Sequence, residues 1–163
     1  MKLDFALAQT WALINVTLGA ALLSGALFFE FIVGLPPCPL CMMQRIWFIL
    51  AVGISYLSLL HNPRWGIYPV LTMLATIVGA GFSIQHLRLQ SLPADQVPAC
   101  GPDLAYMLDA FPLSDILIAM TTGTGDCATT SWSLLGISLP GWALLGFIAM
   151  LVCAFLQLRR ALR

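Results

Sequence analysis

Residues 35–45 read LPPCPLCMMQR. Cys38 and Cys41 stand two residues apart behind a pair of prolines, and Arg45 follows four residues after the second cysteine. A Cys-x-x-Cys can supply half of a zinc site, staple a loop, or cycle between dithiol and disulfide. The flanking chain decides among these, because it sets the solvent in which the pair works.

Of the 163 residues, 60% are hydrophobic and only 9% charged, against about 25% charged in a soluble domain. So little charge cannot cover a water-facing surface, and the composition reads as a membrane protein. Phe5 to Phe29 carries no charge and is long enough to cross a hydrocarbon core of about 30 Å. Ile46 to Leu60 is too short alone, but extending it back to Cys41 adds the missing turn and takes in Arg45. Trp65 to Gln85 and Pro140 to Leu158 are further uncharged runs. A lone segment in lipid must satisfy its own backbone, so each run is a helix. The expected fold is therefore an all-α membrane protein. It is a four-transmembrane-helix bundle forming one domain over 1–163, with spans near 10–29, 41–60, 66–86 and 140–158. A cleaved signal peptide is the weaker reading of the first span: Lys2 is its only basic residue, and its apolar run exceeds the usual 7–15 or so.

Basic residues set the expected orientation. Lys2, Arg64, Arg159, Arg160 and Arg163 fall on one side of such a bundle, Arg45 and Arg88 on the other. The richer side reads as cytoplasmic, which puts both termini inside and the loops 30–40 and 87–139 outside. Most acidic residues, Glu30 and Asp126 among them, fall on or near the outer face, but acids carry little topological weight. A net charge of zero gives no reason to expect nucleic acid as a partner.

Four of the five cysteines then share the non-cytoplasmic face, where disulfides form and persist. Cys153 lies within the last span and reads as a small hydrophobe. Structural zinc is disfavoured. Its sites pair two closely spaced couples, whereas Cys100 and Cys127 are far apart and His61 falls on the opposite side. No metal is expected. Three pairings of the four cysteines are conceivable. Cys38–Cys41 with Cys100–Cys127 is expected, because the first is local and leaves only the second. Closing the long 100–127 loop would restrict the unfolded chain substantially. A ring across two residues removes little loop entropy, so the first pair reads as a redox couple. Cys41 would occupy the first turn of its helix, where unpaired N–H groups and the dipole favour a thiolate. Arg45, at i+4, shares its face and can donate hydrogen bonds to a thiolate or to an oxygen beside it. The residue before it, Gln44, is neutral, so no carboxylate is expected beside the arginine.

PCPLCMMQR, the four spans and the later GDCATTSWSLLGISLPGW resemble the DsbB family of bacterial inner-membrane disulfide-forming oxidoreductases, in order along nearly the whole chain. The Gly-Asp-Cys and Pro-x-Trp segments make the resemblance more specific than Cys-x-x-Cys alone. It implies a DsbA-like thioredoxin-fold periplasmic oxidase as partner and ubiquinone or menaquinone as electron acceptor. It also implies that Cys100 takes the mixed disulfide, Cys127 is released to react with Cys38, and Cys41 then faces the quinone. Arg45 matches the position that assists the quinone, and His86, in FSIQHLRLQ, a histidine linked to it.

The Pro-rich stretch LPADQVPACGP suits a cysteine that must reach a partner and return. Leu104, Met107, Leu108 and Phe111 behind Asp103 have the spacing of a short amphipathic helix, and 113–120 forms a second apolar patch. Packing on the bundle as a lid is preferred to a separate binding role for both, with the membrane surface as the other contact. Two rival functions remain. One is a thiol enzyme like the vitamin K epoxide reductases, whose homologues usually place Cys-x-x-Cys after the loop cysteines, opposite to the order here. The other is a non-catalytic scaffold stapled by two disulfides.

Overall fold

The computed structural model describes residues 2–62, 65–93, 95–101, 104–130 and 132–162, with the side chains of 2–5, 104, 105 and 108 outside that description. Arg64, Asp103 and Arg163, together with the side chains of Lys2, Leu104 and Leu108, therefore lie outside the described residues.

Four long helices form the body: α1 (Lys2–Phe31), α2 (Pro39–Leu60), α3 (Ile67–Gln90) and α6 (Leu139–Ala161). All four are long and apolar enough to cross a membrane. They pack as a ring in which α1 touches α2 and α6, and α3 completes the circuit between α2 and α6. The helices overrun the sequence-based limits at several ends. Most notably, α3 continues four residues past 86, so His86 lies inside the helix and not at its tip. Uncharged composition marks the hydrocarbon crossing, whereas a helix continues until its last carbonyls find other partners. Here Ser91 N–H closes α3 on Leu87 and Arg88.

The bundle reverses the soluble pattern. Leu13, Ile49, Leu74 and Val152 point outward, while Asn15, Ser55, Thr72, Ser83, His86 and Gln157 are buried. In lipid, apolar side chains need no burial, and interhelical hydrogen bonds with close packing hold helices together. Gln157 donates to Ser58 Oγ at 2.9 Å and ties α6 to α2. Ser55 and Thr72 hydroxyls meet at 3.3 Å between α2 and α3. At mid-height Phe48 and Phe147 stack with centroids 3.8 Å apart, packed with Ala51, Ala75 and Met150. Gly79 makes room for this pair, since a Cβ there would run into the Phe147 ring.

The loop between α3 and α6 folds over one end of the ring. It holds α4 (Leu104–Ala110), α5 (Leu113–Thr122), a 3₁₀ turn at Gly125–Ala128 and a hairpin of β1 (Ser133–Leu134) and β2 (Ile137–Ser138). The hairpin turn uses positive φ at Leu135 (54°) and Gly136 (78°), the backbone that a two-residue connection favours. Two hydrogen bonds anchor it: Ser138 Oγ donates to Gln90 Oε1 at 2.8 Å, and Trp142 Nε1 to the Leu134 carbonyl at 3.4 Å. Met107 of α4 is buried against Ile116 and Ala119 of α5, and α5 rests on α2. The two short helices thus pack on one another and on the bundle, while Leu113, Leu117 and Ile118 remain exposed.

A Gly79→Val substitution should lower the thermal midpoint of the detergent-solubilised protein, by about 1–3 kcal/mol of overpacking cost. Gly81→Val, where a Cβ meets nothing within 4 Å, is the matched control and should cost far less.

Candidate active site

The site is assembled where α2 begins. Pro36 and Pro37 keep the approach extended, Pro39 sits in the first turn without needing a donor, and Cys38 is the N-cap with φ −72° and ψ 164°. Cys38 Sγ accepts the Cys41 N–H at 3.4 Å, so the cysteine does the capping usually given to Ser or Asp. This turn brings Cys38 Sγ and Cys41 Sγ to 3.2 Å. From α3, His86 Nε2 reaches Cys38 Sγ at 3.8 Å. Gln44 Nε2 donates to His86 Nδ1 at 3.2 Å, which leaves the ring proton on Nε2, facing the sulfurs.

The loop delivers the third sulfur. Gly123 has φ 83°, and a Cβ there would strike Leu40 and Leu89, so only glycine lets the chain cross this close to α2 and α3. The next turn seats Cys127, fully buried, with Leu40, Leu89 and Cys38. Cys38 is thus the shared sulfur, in contact with Cys41 on one side and Cys127 on the other. Cys38, Cys41, Cys100, Cys127 and Cys153 are all free in the structure, so neither pair of the expected Cys38–Cys41 and Cys100–Cys127 is bonded there. Cys100 is exposed and does not join the buried group. Gly125 N–H donates to the Ala99 carbonyl at 3.1 Å, which holds the 96–101 segment against the Cys127 turn.

Hydrogen bonding polarises the sulfurs outside the spans. The Cys127 thiol is pulled down to about 6, chiefly by its hydrogen bond with Cys38, against burial, which opposes it. The Cys38 thiol is pushed up, first by Cys127, then by Cys41 and burial, and so stays protonated as the donor. Cys100 is raised by hydrogen bonding to Asp126 and by its charge. The arrangement places Cys127 against the sulfur of Cys38, the contact that thiol–disulfide exchange between them requires.

Arg45 lies one turn below Cys41, and both border a cavity of about 810 Å³ that also takes in Gln44, His86, Asp126 and Trp132. One expectation is corrected here. Arg45 does have a carboxylate beside it: Glu30, near the end of α1, forms a salt bridge with the guanidinium. Arg45 also donates to the Ala26 carbonyl at 3.1 Å. The acid comes from a neighbouring helix, which adjacency in sequence does not reveal. Gln44, the neutral residue before Arg45, turns to the interior and His86. An acid at the end of an apolar run was the available signal for Glu30, because such residues are seldom idle. Cys38, Cys41 and His86 also bring three ligand atoms within 4.8 Å of one another, a cluster that spacing along the chain did not anticipate.

A sequence model of the family described as disulfide bond formation protein DsbB matches residues 8–157. The chain belongs to the DsbB family. Among curated DsbB proteins, disulfide bond formation protein B of Hahella chejuensis is 49% identical over 145 residues, 86% of this chain and 88% of its own. That of Methylococcus capsulatus is 45% identical over 154 residues, 92% and 93% of the two chains. Nitrosococcus oceani contributes another at 44% over 144 residues, 86% and 85%. DsbB membership makes the chain a multi-pass membrane oxidoreductase of disulfide bond formation, and sets the epoxide-reductase and scaffold readings aside.

The buried Cys38–Cys127 contact has a titration signature. In a Cys41→Ala/Cys100→Ala/Cys153→Ala variant, ultraviolet thiolate absorbance should be present above about pH 6 and fall as pH drops through it. Adding Cys38→Ala removes the donor, and the transition should move up toward the ordinary 9.0.

Proposed function

We propose that this chain reoxidises a DsbA-like thioredoxin-fold oxidase and passes the electrons to ubiquinone or menaquinone. It would do so in the bacterial inner membrane, with both termini cytoplasmic and the cysteines facing the periplasm. The observation that carries the reading is the position of Cys38, in contact with both Cys41 and Cys127. That is the geometry of a relay.

In the oxidised enzyme both pairs are disulfides. A thiolate of the partner attacks Cys100, the exposed sulfur, forming a mixed disulfide and releasing Cys127. The partner's second thiol then displaces Cys100 and leaves as an intramolecular disulfide. Cys127, whose thiolate the backbone N–H groups of Leu40 and Thr124 favour even when Cys38 carries no proton, attacks Cys38 of the Cys38–Cys41 bond and frees Cys41. His86 Nε2–H and the first-turn N–H groups stabilise the charge on Cys41. A quinone supplies a two-electron, two-proton acceptor when bound. Cys100 then displaces Cys38 from Cys127, which restores the Cys100–Cys127 disulfide and leaves Cys38 and Cys41 as a dithiol. Its two electrons and two protons would go to the acceptor as the Cys38–Cys41 disulfide re-forms, so that overall one partner dithiol becomes a disulfide.

The cavity fits such a ligand. Its volume lies within the roughly 300–1,000 Å³ of small-molecule sites, and its walls are mainly apolar, with Ala26, Phe29, Phe48 and Trp142 among them. Its polar lining includes Cys41, Arg45 and His86. Arg45 would orient a carbonyl oxygen by charge-assisted hydrogen bonding. Glu30 would act as a positioning residue, holding the guanidinium against α1.

The decisive assay supplies purified protein with a reduced DsbA-type partner and a ubiquinone analogue, and follows loss of quinone absorbance. Partner-dependent turnover is expected; its absence sinks the reading. Cys38→Ser and Cys41→Ser should each abolish turnover. Arg45→Ala should raise the quinone KM by at least about tenfold, as loss of a charged hydrogen bond of ~1.5–3 kcal/mol implies. Glu30→Gln should raise the same KM by less and leave the partner's KM unchanged, which a general folding defect would not do.

A further inference from the structure

Cys-x-x-Cys is the spacing of half a zinc site, and the remaining ligands of such sites come from elsewhere in the chain. The long second loop supplies no second close-spaced couple, and His61 lies at the far end of the bundle, bonded to Tyr68. Folding provides a different imidazole. His86 Nε2, Cys38 Sγ and Cys41 Sγ all lie within 4.8 Å of one another. Tetrahedral zinc with bonds near 2.3 Å to sulfur and 2.0–2.1 Å to nitrogen separates its ligands by roughly 3.5–3.8 Å. The Sγ–Sγ distance of 3.2 Å would open by roughly half an ångström, and the Cys38 Sγ–Nε2 distance of 3.8 Å would close by a few tenths.

We propose that the reduced Cys38–Cys41 pair and His86 form a binding site for a thiophilic divalent cation of the zinc and cadmium class, which locks the enzyme in its dithiol form. Two observations beyond the spacing support it. All three residues border the cavity, so an ion has an approach and a fourth coordination position. Gln44 already hydrogen-bonds His86 Nδ1. Ligation through Nε2 moves the ring proton to Nδ1, and half a turn of the Gln44 amide presents Oε1 to accept it. Metal-bound histidines ordinarily have such an outer partner.

Binding is an acid–base event with no electron transfer: two thiol protons leave and two metal–sulfur bonds form. It competes directly with reoxidation, because the same sulfurs cannot hold a cation and form a disulfide. The oxidised enzyme offers one nitrogen and no thiolate, so the site exists only while the enzyme is carrying electrons. Soft cations would therefore stall disulfide formation at this step, and more strongly under turnover than at rest.

The test is a cadmium titration of the purified protein, reading cadmium–thiolate charge-transfer absorbance, which involves no quinone and no partner. A Cys100→Ser/Cys127→Ser variant isolates the three ligands. In its reduced form it should bind one cadmium per chain, displaceable by zinc and reversed by a chelator; after oxidation of the remaining pair it should bind none. His86→Ala should weaken binding by at least about tenfold, the loss that even an outer-shell partner can cause. Absence of saturable binding by the reduced variant overturns the proposal, as does equal binding by the reduced and oxidised forms. The same weakening of about tenfold on His86→Ala in the otherwise wild-type reduced protein reads the site without the Cys100 and Cys127 substitutions. If both that protein and the double variant bind no cadmium through these ligands, the proposal is overturned. Neither negative result touches the oxidase reading, which the quinone assay tests separately.

Discussion

The N–H groups in the first turn of a helix have no partner within that helix, and in α2 one of them is met by a sulfur. The Cys41 N–H to Cys38 Sγ contact caps the helix and fixes the spacing of the pair in one step. Everything else at this end is arranged around that sulfur. α3 brings His86 beside it, the long loop lays Cys127 on it, and the cavity opens along the Cys41 side. In lipid a backbone must satisfy itself, so helix ends are where a membrane protein can place reactive groups without losing a span.

Polar chemistry is distributed accordingly. Within the ring, hydroxyls and amides of α2, α3 and α6 hold the helices to one another, while the outer surface is plain hydrocarbon. At the mouth, the charged pair Arg45–Glu30 bridges α2 and α1 at the edge of the cavity. A half-buried ion pair of this kind is costly to break, because removing either member strands the other away from water. That cost is a reason for the guanidinium to keep one place, and a fixed guanidinium is what recognition of a ligand oxygen needs.

The three sulfurs around Cys38 differ in what they can do, and the difference is a matter of hydrogen bonding. Cys127 is lowered because Cys38 donates to it, and Cys38 is raised for the same reason. Exchange needs an anionic attacker and an approachable sulfur. The shared proton belongs to the dithiol form, and the backbone N–H groups of Leu40 and Thr124 are what still favour a Cys127 thiolate once Cys38 is oxidised. The same closeness of soft ligands that favours exchange also favours a soft cation, so the liability follows from the design of the relay itself.

Much of this was legible in the residues. Three apolar runs long enough to span unaided, and a fourth completed by extension back to Cys41, pointed to the fold class, since uncharged length is a local property. The Cys-x-x-Cys behind prolines and Arg45 four residues on marked a reactive helix start, because capping and i+4 geometry are also local. What the chain could not declare was which distant groups would meet there. Glu30 reaches Arg45 from another helix and Gln44 turns away from its neighbour toward His86, while the approach of Cys127 to Cys38 was implied by the family resemblance and not by spacing. Those meetings depend on how four helices rotate against one another and on a glycine-permitted crossing at Gly123. Only the packed tertiary structure decides them, because side chains far apart in sequence become neighbours through helix packing and not through spacing.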